Sequence, residues 1–440
     1  MTQENNLYEY EIVGEDSDFD LTWPHLHVSA HVSYMKHDNS QETKGEVTFI
    51  SERPTSSGHL RSGRLNLTSP SSRKTFSKWL SDRDDQVDWD QVIEQLCVGV
   101  LKKFRVGEPV VELTGKDDVE ATQRWLVDPL INLGHPTVLY APGATGKSYF
   151  AQYIAVLVDA GLSHNNLHVE PANVLYLDWE TDAREIGARV TMLRRGLGLD
   201  GDSHIKYRAM TRPGAGLAND VQQIKKICVE HDIGFVVVDS VGLACMGEPE
   251  SAQVVNDMFQ ALRSLKVSSL CIDHTNKANN SANSENLFGS VYKYTSARQI
   301  FEGKKSQHQN ENKLELGLFH KKSNNDKLIK DLGFTIEFSE ANSLRKVFIR
   351  KQDIRNTDLE ENMRVPARIE NLLRRQSGGL SVPQICEELE KSDNHIRKEL
   401  SKGKNRGMFT ILPNGNWANQ AWVDELQEEV EGWKAGTEVI

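Results

Sequence analysis

Ala141-Pro-Gly-Ala-Thr-Gly-Lys-Ser148 is the stretch that decides the fold. An apolar run at 137–140 precedes it, and a helical run at 149–158 follows. A glycine turn that merely preceded Lys-Ser by chance would lack this strand–loop–helix setting. Glycines in such a loop let backbone amides turn inward and cradle phosphate oxygens. Lys147 then reaches the β- and γ-phosphates, and the Ser148 hydroxyl ligates Mg²⁺. The helix start adds its dipole and its free N–H groups. The expected nucleotide contacts are Ala141, Pro142, Gly143, Ala144, Thr145, Gly146, Lys147, Ser148 and Tyr149, with ATP and Mg²⁺ as cofactors. Alanine stands at 141, where the pattern carries its first glycine.

Further along, Phe235-Val-Val-Val-Asp239 is an apolar strand ending in an acid. Downstream of a phosphate loop, such an acid holds the magnesium-bound water shell, so Asp239 joins Ser148 as a metal residue. Between the two motifs lies Val174-Leu-Tyr-Leu-Asp178-Trp-Glu180, another strand closing on acids. ATP hydrolysis needs a carboxylate that orients and polarises the attacking water. Glu180 is the first choice and Asp178 the second. Cys271-Ile-Asp-His274 ends a further strand, where His274 is placed to sense the γ-phosphate. Apolar strands alternate with amphipathic segments over 116–350, the mark of a parallel α/β sheet. The expected strands are 137–140, 173–178, 234–239 and 269–273, with 314–320 and 334–338 as a hairpin-like extension.

Composition narrows the function classes. The chain has 440 residues, 38% hydrophobic and 26% charged, with a net charge of -11. That balance is globular, and it excludes a basic coat for nucleic acid, so any such surface is local. No run approaches the length of apolar sequence that a membrane helix needs. The first residues lack a signal-peptide pattern, and the five cysteines are scattered. A reducing, cytoplasmic setting with no membrane partner is expected.

Three domains and a tail are expected. Residues 1–115 read as an α+β domain, with strands near 27–34, 46–50 and 64–67 and helices at 73–81 and 89–104. No motif in it carries chemistry. Residues 116–350 form the nucleotide domain, and the polar stretch 351–363 reads as a linker. Residues 364–419 give three helices and a short hairpin, the order of a winged helix-turn-helix domain. Residues 420–440 read as an acidic tail.

Taken in order, Trp125-Leu-Val-Asp-Pro-Leu130, the phosphate loop, Leu175-Tyr-Leu-Asp-Trp-Glu180, the Asp239 strand, Asp273-His274, Phe288-Gly-Ser-Val-Tyr-Lys-Tyr-Thr-Ser-Ala-Arg298 and His320-Lys-Lys-Ser-Asn324 resemble the RecA-fold ATPases related to the plasmid replicative helicase RepA. These are often labelled AAA-family ATPases. The resemblance covers about 120–345. It implies a RecA-like P-loop NTPase core and a homo-oligomeric ring, usually a hexamer, with ATP between subunits. In RecA-like ATPases the water-activating glutamate sits at a strand end between the two motifs, as Glu180 does. Arg298 matches an arginine finger that reaches the neighbour's site, with Lys293 as a rival. Lys322 matches a lysine that approaches the nucleotide as a second sensor.

One departure concerns DNA. Residues 241–250 are acidic, and 276–286 are polar with one lysine, whereas single-strand grips use basic and aromatic groups. The third domain restores a nucleic-acid surface: 391–407 carries six basic residues against two acids. Arg397, Lys398, Lys402, Lys404 and Arg406 are the candidate DNA contacts. The expected function is an Mg-ATP-hydrolysing ring ATPase acting on single- or double-stranded DNA, a helicase of the RepA kind. The alternatives are a RecA-like ATPase of repair, recombination or regulation that does not unwind, and, more remotely, a P-loop kinase for a small substrate.

Overall fold

A computed structural model describes residues 7–107, 110–113, 125–247, 251–275 and 291–426, apart from positions 16, 38–40, 55, 57, 308–311, 325–326, 342 and 377. The chain divides into two compact units, Met1–Asp118 and Val119–Ile440.

The first unit is an antiparallel meander followed by two helices. Its strands are β1 (Glu11–Glu15), β2 (Asp18–Trp23), β3 (Val28–His37), β4 (Thr43–Ser51) and β5 (Gly58–Asn66), hydrogen-bonded in chain order. Strict alternation in β2 turns Phe19, Leu21 and Trp23 to the core. Helix α1 (Pro70–Ser81) is capped by Ser69 and starts at Pro70, three residues before the sequence-expected start. Helix α2 (Trp89–Phe104) matches the expected span, with Asp88 accepting from the Gln91 amide. Arg73 in α1 donates to the Leu67 carbonyl and to Glu94.

The second unit is built on one sheet. Its elements are β6 (Trp125–Asp128), β7 (Ile131–Asn132), β8 (Pro136–Ala141), α3 (Lys147–Ala160), β9 (His168–Val169), β10 (Asn173–Asp178), α4 (Ala183–Leu197), β11 (Lys206–Ala209), α5 (Leu217–Glu230), β12 (Ile233–Asp239), α6 (Val241–Ala244), α7 (Ala252–Ser264), β13 (Ser268–His274), α8 (Val291–Ser296), β14 (Gln299–Ser306), β15 (Lys313–Ser323), β16 (Leu332–Ala341) and β17 (Leu344–Gln352). The strand order is β11-β10-β12-β13-β8-β14-β15-β16-β17. The first six run parallel, and β15, β16 and β17 continue antiparallel. Alternate side chains feed two cores. Leu139, Tyr176, Val237 and Ile272 pack on the α3 side, while Val138, Leu175, Val236 and Cys271 pack on the opposite side with α5 and α7. No helix among the described residues is long and apolar enough to cross a membrane.

The expected linker at 351–363 is instead structured. β17 runs through Gln352, and two short turns follow in which Ile354 and Leu359 are buried with Phe319. Then come α9 (Val365–Arg374), α10 (Val382–Leu389), α11 (Asp393–Asn405) and the antiparallel pair β18 (Phe409–Ile411) and β19 (Trp417–Asn419). Ser381 and Gln384 form a capping box at α10. Ile369, Leu373, Ile385, Ile396, Leu400 and Phe409 make a core of their own. Gly403 is a glycine because the Phe409 ring lies on it: a Cβ there would stand 2.2 Å from the ring. Of the expected acidic tail, 427–440 lies outside the described residues.

Candidate nucleotide site

Parallel pairing puts the strand ends side by side. Asp178 aligns with Asp239 across β10 and β12, and His274 aligns with Ala141 across β13 and β8. The phosphate loop, both acidic strand ends and the histidine therefore share one sheet edge, the place where open α/β sheets bind ligands.

The loop has the backbone its sequence demands. Gly146 takes φ +88°, and a Cβ there would press on Ile336 at 2.9 Å. Thr145 donates to the Pro142 carbonyl and braces the turn. Pro142, Gly143 and Ala144 are exposed, and Ala141 ends β8. Lys147, nearly buried, donates to the carbonyls of Ala141 and Pro142 at 2.9 and 2.8 Å and meets His274 Nδ1 at 3.4 Å. Burial draws its proton affinity down, against the pull of Asp239, Glu180 and Asp273. The Tyr149 ring lies edge-on to Phe338 at 5.1 Å, with the Arg189 guanidinium over it at 5.1 Å.

Asp239 is buried beneath the loop. Its Oδ2 accepts from the Tyr176 hydroxyl at 2.7 Å, and the Ser148 hydroxyl also bonds the carboxylate. Its Oδ1 has no hydrogen-bond partner among the described residues. Burial raises its pKa, and the two hydroxyls oppose the rise. A buried, incompletely satisfied carboxylate oxygen beside a hydroxyl fits a hard cation that takes oxygen ligands. Ser148 and Asp239 are thus the residues able to hold Mg²⁺.

The two candidate bases separate cleanly. Asp178 is saturated: it accepts from the amides of Glu180 and Thr181 at 2.8 and 3.2 Å, from the Thr181 hydroxyl, and from Tyr207 at 3.2 Å. It is the brace of the turn that carries Glu180. The Glu180 carboxylate is half-buried and accepts from Ser240 at 2.7 Å, with His274 Nε2 at 3.3 Å. The His274 hydrogen bond leads in holding its pKa down to about 2, so it is a carboxylate at any working pH. His274 stands between Lys147 and Glu180, touching one with each ring nitrogen. Ser240 and Tyr176 were not expected. Ser240 directly follows Asp239, and Tyr176 lies one strand repeat before Asp178, but neither residue type signals such a role by itself.

Residues 107–280 match the family model described as an AAA domain. The matched segment contains the loop, Glu180, Asp239 and His274, so the family match falls on the residues that this sheet edge brings together. Among solved structures, the flagellar accessory protein FlaH from Methanocaldococcus jannaschii is 14% identical with a TM-score of 0.36, covering 55% of this chain and 98% of that one. A KaiC-like protein from Pyrococcus horikoshii is 15% identical with a TM-score of 0.33, covering 55% and 100%. No curated protein matches the sequence.

Two expected site residues, Arg298 and Lys322, lie at the other end of the strands. Arg298 precedes β14, and its amide bonds Pro136, so it sits where β8 begins, not where β8 meets the loop. Lys322 is at the same end and donates to the carbonyls of Tyr294, Thr295 and Ala297. The length of the strands separates it from the phosphate loop of its own chain. Lys293 is buried against Asp273 at 2.9 Å, which removes it as a rival finger. On α11, Arg397 pairs with Asp393, and Lys402 pairs with Glu399 at 2.7 Å. Lys398 and Lys404 on the helix and Arg406 just past it make no ion pair among the described residues.

Proposed function

We propose that this chain is an Mg²⁺-dependent ATPase that works as a ring of identical subunits, a hexamer on the RepA-like reading, and acts on DNA as a helicase. The observation that carries the shared-site part is the position of Arg298. β8 and β14 are parallel, and the five steps from Pro136 to Ala141 span roughly 17 Å. Arg298 therefore does not serve its own loop, and a neighbour stacked head to tail gives it a target.

In this reading Lys147 leaves the two carbonyls for the β- and γ-phosphates. Bound Mg²⁺, held by Ser148 and Asp239, supplies neutralisation of phosphate charge. Glu180 orients the attacking water and polarises it, and its bonds to Ser240 and His274 fix its place. His274 couples Glu180 to Lys147, so loss of the γ-phosphate is felt at both. Arg298 of the partner subunit offsets the charge that builds on the γ-phosphate.

The DNA part rests on the C-terminal unit, read as a winged helix with α11 as its recognition helix. Lys398, Lys404 and Arg406 are its phosphate contacts. The test is ATP turnover with and without single-stranded and duplex DNA, joined to a strand-displacement assay. Turnover indifferent to both kinds of DNA sinks the DNA assignment. Stimulation without strand displacement favours the second reading, an ATPase that switches on DNA without unwinding it. The acidic stretch after Asp239, with Leu243 and Met246 exposed in place of cations, speaks for that second reading. A small-substrate kinase is weaker, because its cations act within one subunit.

A further inference from the structure

The turn between α8 and β14 gathers positive charge at the sheet end away from the phosphate loop. Arg263, in the last turn of α7, donates to the Ser296 carbonyl at 3.0 Å. Lys322 ties the same turn through the carbonyls of Tyr294, Thr295 and Ala297 at 2.6, 3.1 and 2.8 Å. Arg298 is fixed through its backbone: its amide donates to Pro136 at 3.1 Å, and its carbonyl accepts from Asn324 at 3.0 Å. His135 is the residue before Pro136. Burial first, and then the Arg298 charge, lowers the proton affinity of His135, Arg263 and Lys322. Arg263 and Arg298 are exposed. No carboxylate pairs with either, or with Lys322, among the described residues.

Gathering like charges without a counter-ion costs stability, and such clusters mark places where an anion arrives from outside. We propose that this turn is a cradle for the polyphosphate of a nucleotide held by a second copy of the chain, with Arg263 as a second trans cation beside Arg298. The proposal rests on the shared-site reading above. Lys322 is the positioning residue, since its three carbonyl bonds hold the turn. The Arg298 guanidinium and the N–H groups of Arg263 that do not bond Ser296 are left to meet phosphate oxygens, which planar forks match. A nucleotide is favoured over a DNA backbone because the loop edge and this turn are opposite ends of one sheet. Head-to-tail contact brings them together once per interface.

The experiment uses the full chain with Arg263→Ala and Arg263→Lys. Binding of a fluorescent ATP analogue should stay within roughly twofold of wild type, while turnover of the alanine variant falls on the order of 10²-fold. The lysine variant should lie between. Mixing Arg263→Ala subunits with Glu180→Gln subunits should restore turnover above the sum of the two, because some interfaces regain both groups. Wild-type turnover in Arg263→Ala overturns the proposal. So does a loss confined to DNA-stimulated turnover, which would make the cradle a DNA contact. If mixing restores Arg298→Ala but not Arg263→Ala, only Arg263 falls. If neither is restored, the shared-site reading itself fails.

Discussion

The hydroxyl of Tyr176, on a fully buried side chain, donates to Asp239 Oδ2 at 2.7 Å, and Gln152 from the phosphate-loop helix approaches the same hydroxyl at 3.4 Å. One oxygen of the Asp239 carboxylate is thereby fixed, while Oδ1 has no hydrogen-bond partner among the described residues. Tyr176→Phe removes the donor and keeps the ring. Metal affinity, read by Mn²⁺ titration with ATP present, should weaken about tenfold, in line with the ~1.5 kcal/mol or more of a hydrogen bond to a charged group. ATP binding without metal should not change. Unaltered metal affinity would show that the bond only supports the fold.

Lys293 and Asp273 form an ion pair whose side chains are 5% and 3% exposed. Lys293→Ala leaves a buried charge unpaired and should cost about 3–5 kcal/mol in urea unfolding. Replacing both partners, Lys293→Met with Asp273→Leu, should cost much less. Equal losses in the two variants would mean that the pair's charge is not what matters.

Glu180 is held near 2, chiefly by His274, against an ordinary value of 4.5. A depressed carboxyl keeps its bonds fully above its ordinary value and loses them as pH falls toward the folded value. The wild-type pH–rate profile should thus show no acid limb from Glu180 until pH falls toward about 2. In His274→Ala the carboxyl moves back up, and an acid limb should appear nearer pH 4. An unshifted limb would contradict the link between His274 and Glu180.

Much of this site was legible because phosphate chemistry constrains backbone as well as side chains. Gly146, Lys147 and Ser148 follow from one motif, and 173–178 was read to the residue because its apolar run ends on a turn acid. The losses have physical causes. β17 was not named as a strand, and its last two residues were taken into a linker, because its sequence, Leu344-Arg-Lys-Val-Phe-Ile-Arg-Lys-Gln352, hides alternation under charge, although Val347 and Ile349 are buried. β2 was missed because its outward residues Asp18, Asp20 and Thr22 mask the pattern, and β1 because only Ile12 in it is partly buried. The three carbonyls that Lys322 binds could not be read from the sequence, because no motif marks a lysine that holds a turn. Arg263 carried no motif, and only the folded turn brings it beside Arg298.

Lys147 is the loop's one cation, and the carbonyls of Ala141 and Pro142 now hold its place. Lys147→Ala should abolish nucleotide binding or turnover with unfolding unchanged to within about 1 kcal/mol, as calorimetry with ATP and urea melts would report. Wild-type turnover would remove the nucleotide site from this edge.

In the proposed ATPase, Glu180, braced by Asp178 and held by Ser240, activates water for ATP hydrolysis. The most direct measurement is single-turnover hydrolysis of labelled ATP by Glu180→Gln beside Asp178→Asn. An amide cannot polarise water as a carboxylate does, so Glu180→Gln should bind ATP normally and cleave it at least roughly 100-fold more slowly. Asp178→Asn should lose stability as the turn loosens, while its folded fraction cleaves faster than Glu180→Gln. Rapid cleavage by Glu180→Gln, with Asp178→Asn the slow variant at normal stability, would contradict the account.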